Sequence, residues 1–115
     1  MIKSFQYALQ GLLSAIRSEA NLRFHIAAAV IVIALGFWLQ IRTVEWCIVV
    51  LCIGAVFGFE LVNTSIEQLC NHVTAEEHPS IKKIKDISAA AVLLVSFASA
   101  VVGLLIFLPK LIDKF

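Results

Sequence analysis

Apolar residues along this chain fall into three long runs, preceded by a segment with a different rhythm. The first run covers 26–41, IAAAVIVIALGFWLQI, and Leu22 to Phe24 can extend it. The second covers 46–59, WCIVVLCIGAVFGF, and a helical pattern carries it on to about Asn71. The third covers 87–108, ISAAAVLLVSFASAVVGLLIFL, and Pro109 is expected to stop it. A hydrocarbon core ~30 Å thick is crossed by about 20 helical residues. The runs therefore predict three spans, at about 24–41, 44–71 and 81–108. The first twenty residues behave differently. Ile2, Phe5, Leu9, Leu12 and Ile16 recur at spacings of three and four, while Lys3, Gln6, Gln10, Ser14 and Arg17 take the other faces. That pattern predicts an amphipathic helix over about 2–20, lying in the membrane surface. The expected fold is all-α integral membrane, one domain over 1–115, with three transmembrane helices and an N-terminal surface helix. Gly36, Gly54, Gly58 and Gly103 are expected to let helices approach closely.

Composition agrees with this reading. The 115 residues are 61% hydrophobic and 15% charged, with a mean hydropathy of +0.97. Soluble domains sit near 45–50% apolar and about 25% charged. A net charge of +1 gives no signal for nucleic acid. Cys47, Cys52 and Cys70 lack zinc-type spacing and are odd in number, so they read as small buried side chains without disulfides. The N-terminus lacks a basic-then-apolar order, so no cleavable leader is expected.

The basic residues orient the spans. Lys3, Arg17, Arg23, Lys82, Lys83 and Lys85 fall on one side of a three-span chain, and Arg42, Lys110 and Lys114 on the other. This bias puts the N-terminus and the 71–85 segment in the cytoplasm and the C-terminus outside. The cytoplasmic segment reads NHVTAEEHPSIKKIKD. His78-Pro79 is expected to break the second helix and Ser80 to cap the third. Lys82, Lys83 and Lys85 then lie near the positive end of a helix dipole, where cations are disfavoured. They either anchor the chain on the cytoplasmic side or meet an anion such as a phosphate.

The chemistry is concentrated in FGFELVNTSIEQL, 57–69. Glu60, Asn63, Thr64 and Glu67 share one face of a helix. Glu60 lies ~24 Å along from Val44, near the cytoplasmic edge of the hydrocarbon, and Glu67 about two turns further on. Lipid cannot satisfy such a face, and an intramembrane acid marks a functional site by default. The bland alternative is a bundle held by buried hydrogen bonds. Glu19, ahead of the first span, adds an acid on the same side. Two interfacial carboxylates suit Mg²⁺, which takes oxygen ligands and keeps several waters. A deeper carboxylate suits a general base on a lipid hydroxyl. Lysines and Asp86 lie where a nucleotide could arrive. Together these parts describe phosphoryl transfer, and the absence of a Walker A sequence excludes a P-loop enzyme. A transition-metal site at His72 and His78 has no supporting Cys/His spacing.

Three motifs, EANLRFH (19–25), ELVNTSIE (60–67) and KDISAAAV (85–92), stand in order across the chain. With them the sequence resembles the small prokaryotic diacylglycerol kinase family, including its undecaprenol kinase branch. The resemblance covers nearly the whole chain. It implies a homotrimer in the bacterial inner membrane, with active sites shared between subunits at the cytoplasmic interface. By motif, it makes Glu60 the catalytic base with Asn63 beside it, and Glu19 and Glu67 the Mg²⁺ ligands. Tyr7, Lys85 and Asp86 would meet ATP, with Glu76, Glu77 and His78 nearby. Arg23, Asn63 and Ser88 would line the lipid site. KSF (3–5), RFH (23–25) and HP (78–79) look more like undecaprenol kinases, which favours undecaprenol slightly over diacylglycerol as acceptor. The rival readings are a proton-coupled exporter, which usually needs four spans, and a purely structural helical subunit.

Overall fold

The computed structural model describes residues 1–74, 76 and 78–115, and among them regular structure is helix alone. The order is α1 (Ile2–Ser18), α2 (Ala20–Trp38), α3 (Thr43–Val73) and α4 (Pro79–Lys114). The last three are long and apolar enough to cross a membrane. They run antiparallel in a flat body of 54 × 37 × 20 Å. The protein is thus an all-α membrane protein with three candidate spans and a short N-terminal helix. α1 leaves Ile2, Phe5, Leu9 and Leu12 exposed, so its apolar stripe is left uncovered by the described residues.

Each junction has a local cause. Glu19 is extended, with φ −111° and ψ 112°, and separates α1 from α2. Arg23 holds that corner. Its Nη1 donates to the carbonyls of Ile16 at 2.9 Å and Arg17 at 2.8 Å, two acceptors that the end of α1 would leave unpaired. Leu22, at 1% exposure the most buried large side chain, packs into the same corner.

α2 ends in a left-handed turn. Gln40 has φ 53°, and the Ile41 amide donates back to the Gly36 carbonyl at 3.1 Å. The turn folds Ile41 and Trp46 onto Gly36. A Cβ there would sit 2.6 Å from Trp46 Cη2 and 3.2 Å from Ile41 Cδ1, so this glycine permits a close approach. Gly54, Gly58 and Gly103 differ from expectation, since a Cβ on any of them would meet nothing within 4 Å among the described residues. α3 begins just beyond this turn. Glu45 Oε1 accepts from the Arg42 amide at 2.9 Å and from Lys110 Nζ at 3.2 Å, tying the start of α3 to the end of α4.

Three local expectations are corrected. α3 ends at Val73, five residues before His78, and Pro79 opens α4 instead of breaking α3. Proline suits a first helical position, because its missing N–H has no intrahelical partner there. Ser80 does not cap α4: His78 does, its Nδ1 accepting from the Ser80 amide at 3.2 Å. Nor does Pro109 stop α4, which continues to Lys114. The only backbone bond forfeited is the one to the Leu105 carbonyl, one turn back, and the final turn survives. Of the cysteines, Cys70 is buried as expected but Cys47 is exposed, and all three are free thiols.

The interior has two characters. Near the Gln40 turn, Ile41, Val49, Ile106 and Phe107 form an apolar core, with Trp46, Ile53 and Val102 against it. Toward the α3–α4 loop the buried set becomes polar: Glu60, Asn63, Thr64 and Ser88. Burying this many polar groups favours folding little, so their placement points to chemistry.

Candidate active site

The inward face of α3 carries Glu45, Val49, Val56, Glu60, Asn63, Thr64 and Cys70. Helical spacing therefore delivers Glu60 and Asn63 to the inside together, as the sequence pattern predicts. Glu60 is 3% exposed. Its carboxylate Oε2 lies 3.8 Å from His25 Nε2 on α2, an approach too long for a direct hydrogen bond. Glu19 and Glu67 also lie close enough for their charges to be felt at Glu60. Glu67, one turn beyond Asn63 and half-buried, accepts from Asn63 Nδ2 at 3.2 Å. The other end of that amide, Asn63 Oδ1, is buried with no hydrogen-bond partner among the described residues. A buried acceptor left open costs about 1–3 kcal/mol, which an arriving donor or cation would recover.

Glu19 reaches this neighbourhood because the α1–α2 break leaves it half-buried at the head of α2. No three of His, Cys, Asp and Glu come together as a ready-made metal cage among the described residues, and His72 and His78 form none. Two carboxylates and an open amide oxygen nevertheless suit a hard cation that completes its shell with water and phosphate oxygens.

The remaining expected residues scatter. Lys85 is half-buried, and its Nζ donates to Asn71 Oδ1, joining the end of α3 to the start of α4. Ser88 is buried one turn further along. Asp86 is on an exposed face of α4, paired with Lys82 Nζ at 2.7 Å, in a hollow also lined by Pro79 and Lys83. Arg23 spends its guanidinium on the α1 carbonyls. Tyr7 is 67% exposed on α1. Glu76 is exposed, its amide donating to Thr74 Oγ1 at 3.1 Å, and His78 serves as a helix cap. Glu77 lies outside the described residues. Sequence reasoning missed one half-buried participant. His25 stands on α2 at the depth of Glu60, and its signal was a lone imidazole at the mouth of an apolar run.

A carboxylate inside a membrane helix, a second acid two turns along the same helix, a third at the head of α2 and a lysine at the loop end make up this site. The profile described as prokaryotic diacylglycerol kinase matches residues 6–107. The chain belongs to that family. It is 44% identical over 109 residues to an undecaprenol kinase of Bacillus subtilis, covering 95% of this chain and 89% of that one. It is 31% identical to a diacylglycerol kinase of Synechocystis, covering 98% of this chain and 65% of that one. A diacylglycerol kinase of Haemophilus influenzae is also 31% identical, over 90% of this chain and 86% of its own. This member of the prokaryotic diacylglycerol kinase family is accordingly an enzyme, a membrane lipid kinase.

Proposed function

We propose that the protein transfers the γ-phosphoryl group of ATP to the hydroxyl of a membrane lipid alcohol, undecaprenol ahead of diacylglycerol. The observation that carries this reading is Glu60, a carboxylate 3% exposed on a membrane-spanning helix, with a histidine at 3.8 Å as its facing group. The undecaprenol preference is supported by the 44% identity to a kinase of that name. The reaction would take place at the cytoplasmic edge of the bacterial inner membrane, the side favoured by the basic residues around the α3–α4 loop.

In this reading Glu60 is the general base. The acceptor oxygen attacks the γ-phosphorus while its proton passes to the Glu60 carboxylate. The new P–O bond forms as the bond to the β–γ bridging oxygen breaks, and ADP departs. Glu19 and Glu67 would hold Mg²⁺, which when bound neutralises charge on the phosphates. Asn63 keeps Glu67 turned for that task through its 3.2 Å bond. Lys85 and Asp86, with Tyr7, Glu76, Glu77 and His78, would meet the nucleotide, and Arg23 and Ser88 would border the acceptor. Asp86 and Lys85 have partners on different sides of α4. That separation supports a site shared between chains of a homotrimer, as do the open surfaces of Gly54 and Gly58.

The test is γ-phosphoryl transfer to undecaprenol and diacylglycerol, side by side in mixed micelles. Undecaprenol is expected to be the better acceptor, and Glu60→Gln to lose activity to both. Full activity in Glu60→Gln would remove the base assignment.

A further inference from the structure

Between α2, α3 and α4 lies a cavity of about 300 Å³, within the range of small-ligand sites. Its walls are almost wholly hydrocarbon, from Ala28, Val32, Ile53 and Phe107 among others. Its polar groups include two that matter here. One is His25, whose Nε2 faces Glu60 Oε2 at 3.8 Å. The other is Ser96, whose Oγ is buried with no hydrogen-bond partner among the described residues.

The antiparallel register brings Ser96 to the same level. Asn71 meets Lys85 at one end of the α3–α4 pair, and Val49 shares a core with Phe107 at the other. Glu60 is eleven residues from both Asn71 and Val49, and Ser96 eleven from both Lys85 and Phe107. Glu60 and Ser96 therefore stand at one depth, with His25 reaching that depth from α2. Three helices thus place a carboxylate, an imidazole and a hydroxyl in one polar layer above an apolar cavity. A serine within a spanning helix ordinarily shares its proton with the carbonyl a turn back. This one does not, so its hydroxyl is open to a guest.

We propose that His25 and Ser96 seat the hydroxyl of the lipid acceptor at the mouth of this cavity and present it to Glu60, the adjoining hydrocarbon chain running down between α2, α3 and α4. The inference rests on the reading of Glu60 as base. The 3.8 Å gap between His25 and Glu60 is too wide for a direct bond, yet an oxygen placed to one side of the line joining them can lie about 2.8 Å from each. Before attack that oxygen donates its proton to Glu60 and accepts hydrogen bonds from His25 and Ser96, and the lone pair held by Ser96 is the one released to phosphorus. The shared chemistry is a primary lipid alcohol, from a polyprenol or from diacylglycerol.

The test is steady-state kinetics of the full chain in mixed micelles, with undecaprenol and diacylglycerol as separate acceptors and ATP varied independently. Ser96→Ala and His25→Phe are each expected to lower acceptor kcat/KM about tenfold, the loss of roughly one hydrogen bond, with the KM for ATP unchanged. His25→Gln keeps an N–H donor and should recover most of the loss. Ala29→Leu, which fills the cavity, should raise the acceptor KM alone. The acceptor with the larger losses is the one whose hydroxyl occupies the seat. Ser96→Ala deletes a buried hydroxyl with no partner among the described residues, so thermal unfolding without acceptor should be unchanged or move upward. Wild-type acceptor kinetics in both Ser96→Ala and His25→Phe would overturn the proposal, as would His25→Gln no better than His25→Phe. Glu60→Gln separates the two readings. If it stays active, the base assignment fails; if it is inactive while the His25 and Ser96 variants are normal, only the seat fails.

Discussion

Replacing Asn63 by leucine should weaken the Mg²⁺ response of the enzyme while leaving its fold intact or firmer. Asn63 is 8% exposed and uses one end of its amide, Nδ2 donating to Glu67 Oε1 at 3.2 Å. Leucine has the same number and branching of side-chain heavy atoms, with two methyl groups bulkier than the amide oxygen and nitrogen they replace. A hydrogen bond to a charged group is worth about 1.5–3 kcal/mol, and a 3.2 Å contact belongs at the lower end. At about 1.4 kcal/mol per decade, the loss comes to roughly tenfold in the apparent Mg²⁺ constant, in line with the 10–100-fold effects typical of groups that orient metal ligands. Stability should move the other way or not at all. The substitution also removes Oδ1, which is buried without a partner among the described residues. The assay is initial rate against free Mg²⁺, with ATP kept saturated by the metal so that only the additional ion varies, alongside thermal unfolding in detergent. An unchanged Mg²⁺ curve would refute the link from Asn63 through Glu67 to the metal. A large fall in unfolding temperature with a normal curve would show that the amide serves packing.

Other consequences follow from local geometry. Gly36→Ala pushes a methyl to 2.6 Å from the Trp46 ring, and should cost about 1–3 kcal/mol as overpacking, read as a lower unfolding temperature; Gly54→Ala, with nothing within 4 Å, should be neutral in a monomer and harmful where chains pack against it. Gln40→Gly relieves a left-handed conformation at φ 53°, and should stabilise by up to about 1 kcal/mol, measured by chemical denaturation in micelles. Arg23→Ala unties the α1 carbonyls of Ile16 and Arg17, so hydrogen exchange in the last turn of α1 should quicken; unchanged protection would show the corner is held by Leu22 alone. Lys110→Met strips a partner at 3.2 Å from the buried Glu45, and should loosen the Gln40 end of the bundle, lowering the unfolding temperature without altering the KM for ATP.

Much of this molecule could be read from residue order, for identifiable reasons. Long apolar runs, extended by their flanking residues, have few ways to satisfy their backbone in a membrane, so three helices followed directly. The seven-residue spacing of Glu60 and Glu67, with Asn63 between, put them on one face because 3.6 residues make a turn. Errors gathered at element ends. Pro79 and Pro109 were read as stops, yet one opens a helix and the other is tolerated near a helix end. Ser80 looked like a cap, but the imidazole two residues earlier takes the role. These outcomes turn on which of several adjacent groups reaches a free amide, and pattern alone does not rank them.

The sequence by itself determined the class of molecule, the number of spans, and the acids around which chemistry would gather, because hydropathy and helical periodicity act locally. Only the tertiary structure decided which side chains from other helices stand at the depth of Glu60. The meeting of His25 on α2 with Glu60 on α3 depends on a turn at Gln40 and a glycine that lets Trp46 close in. The alignment of Ser96 with both depends on a register pinned at Asn71–Lys85 and in the Val49–Phe107 core. Register and crossing distance arise from packing between distant segments, so no local pattern contains them. Those same packing choices leave Asp86 paired with Lys82 on an exposed face of α4 and Tyr7 exposed on α1.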